Sequence, residues 1–214
     1  IKRLHVHGEK AAAYMADGFA RASGKPGICM AQSIGASNLA AGLRDGYMSG
    51  SPIIAISGGP LPKNRYRYTY QEVEDFSQFE PVTKFSAYVE SVMRLPDLLR
   101  QAFREATSGA PGPVHLQVQN RGGQITEQEA DLELLVEQQY ACVPAFRPEP
   151  DMGSVRKALD VLAKAERPVI VAGSGVVRSS AQGEVVELAE KLQIPVITSL
   201  KAKGTIVDAH PLSV

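Results

Sequence analysis

Glu9 is the acidic side chain in this 214-residue chain whose position best suits it to do chemistry. Carboxylates are among the groups that enzymes use as acids and bases. Glu9 lies just before an alanine-rich stretch, residues 11–22, with helical composition and spacing. A carboxylate at a helix start also stabilises the helix by facing its macrodipole and free amides. Taken by itself, this position favours the stabilising role over a catalytic one.

A second candidate is the turn Gly173-Ser174-Gly175, which follows an apolar strand-like run. A dinucleotide-binding loop of the Gly-x-Gly-x-x-Gly kind needs a third glycine at position 178, and that residue is Arg178. A glycine turn before a helix can still receive a phosphate on the helix N-terminus. A tight turn without a ligand is the favoured interpretation.

The histidines, cysteines and serines give no further site. No cysteine or carboxylate joins a histidine at ligand spacing, so a metal site is not expected within the chain. No serine lies in a Gly-x-Ser-x-Gly elbow, which disfavours a hydrolase. The apolar run around Cys29 indicates a buried structural thiol. The residues considered are His5, His7, His115, His210, Cys29, Cys142, Ser33, Ser37 and Ser57.

These residues are set among alternating helix and strand patterns. Continuous apolar runs of strand length between helices are typical of a parallel sheet covered on both faces. The sequence therefore predicts an α/β fold with parallel sheets and helices on both faces, in two partial three-layer domains. The predicted strands are 27–31, 52–57, 84–89, 114–118, 168–172 and 194–199, and the predicted helices start near residues 11, 39, 95, 155 and 184.

Two stretches interrupt this alternation. Residues 61–81 are polar and aromatic without a period, which is typical of a functional loop. Residues 121–150 combine Gly122-Gly123, an acidic run and three prolines, and they form the best linker candidate. The predicted division is a first domain over 1–120, a linker over 121–150 and a second domain over 151–214. The opening, residues 1–6, has no signal-peptide layout and is predicted as a strand entered part-way.

Composition narrows the function classes. Lys plus Arg and Asp plus Glu are 23 each, so the net charge is zero and no basic excess indicates nucleic acid or a membrane surface. Hydrophobic residues make up 44% and charged residues 21%, as in a globular protein, and no apolar run reaches membrane-span length. Small-molecule chemistry in the cytoplasm is the resulting expectation.

The order of short segments carries more information than any one of them. The chain resembles thiamine diphosphate enzymes of the acetolactate synthase type over nearly its whole length. The segments that carry this resemblance, in order, are 6–21 (VHGEKAAAYMADGFAR), 24–27, 35–39 (GASNL), 45–47, 51–58 (SPIIAISG), 70–73 (YQEV), 81–84, 109–114, 167–175 (RPVIVAGSG), 194–198 and 203–204.

Two positions depart from the family pattern. The histidine usual before the glutamate is Gly8 here, with His7 one place earlier, which leaves that histidine without an assigned role. The turn Gly-Pro-Gly-x-x-Asn is residues 33–38 here, and Ser33 stands at its first glycine. Neither departure changes Glu9.

The resemblance implies roles for four residues. Glu9 matches the catalytic glutamate that hydrogen-bonds N1′ of the cofactor's aminopyrimidine. Gly35 and Asn38 match the turn beneath the pyrimidine and are expected to contact the cofactor. Gln71 matches a glutamine near the active site and is a candidate contact to substrate or cofactor, with a solvated loop residue as the equal alternative. No metal ligand is expected among these residues.

The resemblance also implies cofactors that this chain would share with other parts of a protein. Thiamine diphosphate is expected, with Mg²⁺ held by a Gly-Asp-Gly…Asn segment that does not occur here. The central domain of some relatives binds FAD or an adenine nucleotide. The chain is thus expected to be a partial pyrimidine-binding domain lacking its start plus part of a central domain, inactive alone and belonging to a homodimer or homotetramer.

The implied activity is decarboxylation and carboligation of 2-keto acids, as in acetolactate synthase. The alternatives within the family are a 2-keto acid or oxalyl-thioester decarboxylase, an aldehyde lyase and a sulfoacetaldehyde acetyltransferase. From another class, a non-catalytic nucleotide-binding or regulatory α/β module stays open.

Overall fold

The structure, a computed structural model, describes residues 2–64, 66–74, 76–119 and 129–214. The chain forms two compact units, Ile1–Phe146 and Arg147–Val214. No helix among the described residues is long and apolar enough to cross a membrane.

The first unit is built on a four-stranded parallel sheet. Its strands lie in the order β1-β2-β4-β3. Gly27 pairs with Ile53 and Ile53 with Pro113, so β1, β2 and β4 start level, and β3 joins β4 on its other side. The strands are β1 (Gly27–Ala31), β2 (Ile53–Gly59), β3 (Phe85–Val89) and β4 (Pro113–Gln119).

Helices cover both faces of this sheet, and the inner strand β2 is apolar on both sides through Ile53 to Ile56. On one face, α1 (Glu9–Ser23) and α2 (Ala36–Ser49) bury Ile53 and Ala55 of β2. On the other, α3 (Leu95–Thr107) packs over Ile54. The predicted α/β class, with a parallel sheet and helices on both faces, is confirmed.

Close packing of α1 fixes where its first residue lies. A Cβ on Gly42 of α2 would be 2.7 Å from Cβ of Ala13, and a Cβ on Gly27 of β1 would overlap the backbone of Ala16. Glycine at these positions therefore lets α1 approach both α2 and the sheet. Since α1 precedes β1 and α2 follows it, both helices begin at the carboxyl edge of the sheet.

Some local expectations were wrong. Residues 2–6, predicted as part of a strand, form none. The stretch predicted as a loop contains 3-10 helices at Pro62–Asn64 and Phe76–Val82. The helical spacing of residues 11–22 did not indicate which face of α1 packs: Met15 and Phe19 are exposed, while the buried residues are Ala13, Ala16, Asp17 and Ala20.

The predicted linker falls partly outside the described residues, up to residue 128. Its later part contacts the first unit: Arg104 of α3 pairs with Glu137, and the amide of Val143 donates to the carbonyl of Gly24 over 2.8 Å. A 3-10 helix spans Gln138–Ala141. The contacts place residues 129–146 with the first unit.

The second unit has a small parallel sheet of its own. Strands β5 (Ile170–Ala172) and β6 (Val196–Thr198) pair in register. Its core comprises Ala172, Ala189, Val196, Ala202 and Ile206. The helices are α4 (Met152–Ala163), α5 (Ser174–Arg178) and α6 (Gln182–Leu192), with a 3-10 helix at Leu200–Ala202. The short helix α5 was not predicted.

Candidate functional site

Glu9 is the first residue of α1, and its half-buried side chain reaches the turn between β1 and α2. A Cβ added to Gly35 in that turn would lie 2.5 Å from Oε1 of Glu9 and 2.6 Å from its Cγ. Any side chain at position 35 would therefore displace the carboxylate. Glycine is required here for close approach, because the φ of −77° is one that any residue can adopt.

Asn38, in the first turn of α2, orients the same carboxylate. Its side-chain Nδ2 donates to Oε2 of Glu9 over 3.2 Å. No hydrogen bond reaches Oε1 from the residues that the structure describes. The structure thus brings together three of the four residues predicted for the site, with one carboxylate oxygen held by an amide and the other available to a ligand.

Gln71 lies at the same carboxyl edge of the sheet. A contact that the sequence did not indicate places it there. Its Nε2 donates to Oε1 of Gln32, the residue after β1, over 3.4 Å. Its backbone is left-handed, with φ of 60°, which is uncommon outside glycine. Strained backbone of this kind clusters at binding sites.

Glu72 holds the loop that carries Gln71. Its Oε2 accepts from the backbone amide of Thr69 over 2.8 Å and from the Thr69 hydroxyl over 3.2 Å. These hydrogen bonds lower the pKa of Glu72, the one from the Thr69 amide most of all. The loop is therefore locally structured, although it has no hydrophobic period that sequence analysis could detect.

The sequence analysis also missed a series of buried, hydrogen-bonded polar side chains inside the sheet. His115 on β4 contacts Ser57 of β2 through Nε2 at 2.8 Å and Ser86 of β3 through Nδ1 at 3.3 Å. Its ring stacks on Phe79 at 3.5 Å between centroids. Burial lowers the pKa of His115 to about 3. The only sequence signal was the alternation of His115, Gln117 and Gln119 along one face of β4, which reads equally well as a solvated face.

The hydroxyl groups determine the tautomer of His115. Thr83 donates its hydroxyl proton to the carbonyl of Phe79 over 2.7 Å, so Ser86 donates to Thr83. Nδ1 of His115 must then carry the proton and donate to Ser86, and Nε2 accepts from Ser57. This series of hydrogen bonds runs in one direction and contains no charged group. It therefore serves packing rather than proton release at neutral pH.

The sequence also raised Cys29, the Gly173–Gly175 turn and a metal site as candidates. Cys29 is buried, and burial raises the pKa of its thiol to about 12. The Gly173–Gly175 turn opens α5, a helix of only 5 residues. Among residues 2–64, 66–74, 76–119 and 129–214, no three His, Cys, Asp or Glu side chains cluster in a way that could hold a metal ion. These residues do not fit a magnesium site.

The arrangement of Glu9, Gly35 and Asn38, in contrast, suits an aminopyrimidine ring. A carboxylate with one oxygen held by an amide can present its other oxygen to a ring nitrogen. The glycine beside it leaves no side chain between carboxylate and ligand. A parallel α/β unit with this group at the carboxyl edge of its sheet belongs to a class that binds ligands at that edge.

Comparison with known proteins assigns the family. Residues 1–79 match the description "Thiamine pyrophosphate enzyme, N-terminal TPP binding domain", and residues 155–214 match "Thiamine pyrophosphate enzyme, central domain". The chain belongs to the thiamine pyrophosphate enzyme family. The resemblance stated from the sequence is confirmed.

Individual relatives agree with this. The chain is 38% identical over 209 residues to a probable acetolactate synthase large subunit of Methanocaldococcus jannaschii, covering 96% of this chain and 35% of that protein. It is 37% identical over 218 residues to the acetolactate synthase isozyme 1 large subunit of Escherichia coli, covering 100% of this chain and 37% of that one. The chain therefore spans just over a third of the length of these relatives.

A solved structure shares the fold. It is described as a thiamin diphosphate-dependent enzyme from Mycobacterium smegmatis, with a TM-score of 0.76 and 25% identity. The match covers 97% of this chain and 39% of that one.

Proposed function

We propose that this chain supplies the pyrimidine-binding side of the active site in a thiamine diphosphate enzyme that acts on 2-keto acids, with an acetolactate synthase-like decarboxylation and carboligation. The whole protein would be a cytoplasmic homodimer or homotetramer with transferase or lyase activity. The observation that carries the proposal is the Glu9 carboxylate, held by Asn38 and set against Gly35.

In this proposal each residue has a task that its geometry supports. Oε1 of Glu9 holds a proton at the ring nitrogen N1′ of the cofactor, while Asn38 keeps the carboxylate oriented through Oε2. Gly35 leaves space for the carboxylate, and by the family resemblance its turn would lie beneath the ring. Thiamine diphosphate, when bound, supplies the nucleophilic carbon and the electron sink that decarboxylation of a 2-keto acid requires.

No cluster among the described residues fits magnesium. The Mg²⁺ that accompanies the diphosphate would take its ligands from another part of the protein. An FAD or adenine nucleotide in the central domain stays a prediction, and a yellow colour of the intact protein would support the flavin.

Glu9→Gln tests the proposal in the intact protein. Glutamine keeps the size and can still accept from Asn38, but it cannot hold a proton for the cofactor, so kcat should fall by about 100-fold or more. Glu80→Gln is the matched control, because Glu80 is an exposed carboxylate remote in sequence from these residues. Steady-state turnover of pyruvate is the measurement, and near-normal activity of Glu9→Gln would contradict the assignment.

Gln71 is proposed to contact the substrate, supported by its place at the carboxyl edge and by its left-handed backbone. Gln71→Asn tests this, since asparagine tolerates that backbone but its amide is one methylene shorter. We expect KM for the 2-keto acid to rise about 10-fold or more, through the loss of one or two hydrogen bonds. Gln78→Asn is the control, and an unchanged KM for Gln71→Asn would indicate a solvated loop residue.

A further inference from the structure

The loop that carries Gln71 is folded around a single carboxylate, that of Glu72. Oε2 of Glu72 accepts from the amide of Thr69 over 2.8 Å and from the Thr69 hydroxyl over 3.2 Å, and Oε1 accepts from the amide of Arg67 over 3.3 Å. Backbone N–H groups that converge on an anion form a concavity called a nest. In this loop the bound anion is a side chain of the loop itself.

The nest accounts for two unusual backbone conformations. Tyr66 and Tyr68 are left-handed, with φ of 66° and 52°, which is uncommon outside glycine. In a nest, residues of opposite hand alternate, so that their N–H groups point to one side. Arg67 and Thr69, which supply the N–H groups, each directly follow a left-handed residue. The tyrosine side chains are 85% and 94% exposed, so their packing does little to hold this backbone, and the Glu72 carboxylate is what holds it.

The conformation of Gln71 depends on the same carboxylate. The amide of Glu72 donates to the carbonyl of Thr69 over 3.0 Å, which closes a four-residue turn with Gln71 as its third residue. A left-handed third residue, here with φ of 60°, is characteristic of a type II turn, where glycine is the usual residue. Main chain and side chain of Glu72 therefore both tie the two ends of this turn together. The turn directs Nε2 of Gln71 to Oε1 of Gln32, at 3.4 Å.

We propose that Glu72 is a positioning residue for substrate binding: its carboxylate fixes the turn that presents the Gln71 side chain at the carboxyl edge of the sheet. Glu72 acts through Gln71 and touches neither substrate nor cofactor. This inference rests on the contact between Gln71 and the 2-keto acid in the proposed function, and it names the group that makes this contact possible.

A carboxylate suits this task because both of its oxygens are acceptors, and the three groups that face them are all donors. Hydrogen bonds to a charged acceptor are also stronger than those between neutral groups. A glutamine at position 72 would keep the size of the side chain but would turn an NH₂ group towards one of these donors.

Glu72→Gln tests the proposal in the intact protein. KM for pyruvate should rise about 5-fold or more while kcat stays within about 2-fold, because binding is weakened and the reacting groups are left in place. Glu80→Gln is the matched control, since it makes the same chemical change at an exposed carboxylate outside the loop. An unchanged KM for Glu72→Gln would overturn the proposal.

A double-mutant cycle separates positioning from loop stability alone. In Gln71→Asn the contact to substrate is already weakened. Adding Glu72→Gln should therefore raise KM by less than about 2-fold further, because residues that act through one contact are not additive. Fully additive effects on KM would mean that Glu72 acts by another route, and they too would overturn the proposal.

Hydrogen exchange gives a result that needs no turnover. The amides of Arg67 and Thr69 should exchange at least about 5-fold faster in Glu72→Gln than in wild type or Glu80→Gln, because their acceptor is weakened. Mass spectrometry of peptides covering residues 66–72 measures this. Equal exchange rates would show that the carboxylate does not hold the loop.

Circular dichroism checks that the variants are folded. Thr69→Val removes one hydroxyl donor to Glu72 and keeps the branched shape of the side chain. It should raise KM in the same direction by a smaller factor, and it replaces Glu72→Gln if that variant is unfolded.

The outcomes distinguish this inference from the proposed function. If Gln71→Asn raises KM and Glu72→Gln does not, the positioning role alone is overturned. If Gln71→Asn has a normal KM, the proposed substrate contact is wrong and the positioning role is overturned with it. If Glu9→Gln contradicts the chemistry, hydrogen exchange still decides whether Glu72 holds the loop.

Discussion

Glu9 shows how much of a residue's role depends on its neighbours. Its position at a helix start is ordinary, and a carboxylate there faces the positive end of a helix dipole. Two contacts distinguish it: the missing side chain of Gly35 and the amide of Asn38, both at the start of a second helix. Together they present one carboxylate oxygen at the carboxyl edge of the sheet.

His115 gives a pH prediction at the same scale. The neutral form is needed in the folded chain, where burial lowers the pKa of His115 to about 3, whereas unfolded histidine titrates near 6.5. Below pH 6.5 the unfolded state binds a proton that the folded state does not, so stability falls as pH falls towards 3. The contribution of His115 to the free energy of unfolding is fully present above pH 6.5.

We expect the free energy of unfolding to fall by about 2 kcal/mol between pH 7 and pH 5, because one pKa unit corresponds to 1.36 kcal/mol. Denaturant unfolding of wild type and His115→Gln at both pH values measures it. The free-energy difference between the two proteins should shrink by about that amount on acidification, and parallel pH curves would contradict the buried neutral histidine.

Among the elements, the end of α3 depends on a lysine that precedes β3. Nζ of Lys84 donates to the carbonyls of Glu105 and Ser108, where the helix leaves carbonyl groups without partners. Burial lowers the pKa of Lys84, and the Glu105 charge opposes that effect. The side chain therefore ties the sheet to the helix that covers it.

Lys84→Met should destabilise the first unit by about 1–3 kcal/mol, because two carbonyl groups lose a charged donor while the apolar part of the side chain is kept. Denaturant unfolding measures the change. Lys25→Met, at an exposed position, is the control and should have little effect. Equal stability of the two variants would show that solvent replaces the Lys84 contacts at no cost.

At the scale of the whole molecule, the proposed function makes the described residues one part of a thiamine diphosphate site. They hold a carboxylate suited to the pyrimidine and no cluster suited to Mg²⁺. In the proposed function the diphosphate carries most of the cofactor's charge, so its binding would depend on a cation held by another part of the protein.

We therefore expect the 214-residue chain to show little or no magnesium-dependent binding of thiamine diphosphate in calorimetry. The intact protein, titrated in parallel with Mg²⁺ and with EDTA, is the control and should bind only with the metal. Tight binding by the isolated chain would mean that the pyrimidine side alone holds the cofactor.

The sequence by itself determined most of the elements, because hydrophobic period reports which residues share a face. It determined the parallel α/β class in this way, and ordered short segments indicated the family and Glu9. It did not reveal what covers each face. The polar side of β4 proved as buried as the apolar side, since Phe79 covers His115. In α1, Met15 and Phe19 proved exposed, because the alanines of that helix form its packed face. Only the tertiary structure decides which of these faces is buried. Burial depends on which element packs against a face, and the spacing of residues along the sequence does not identify that element.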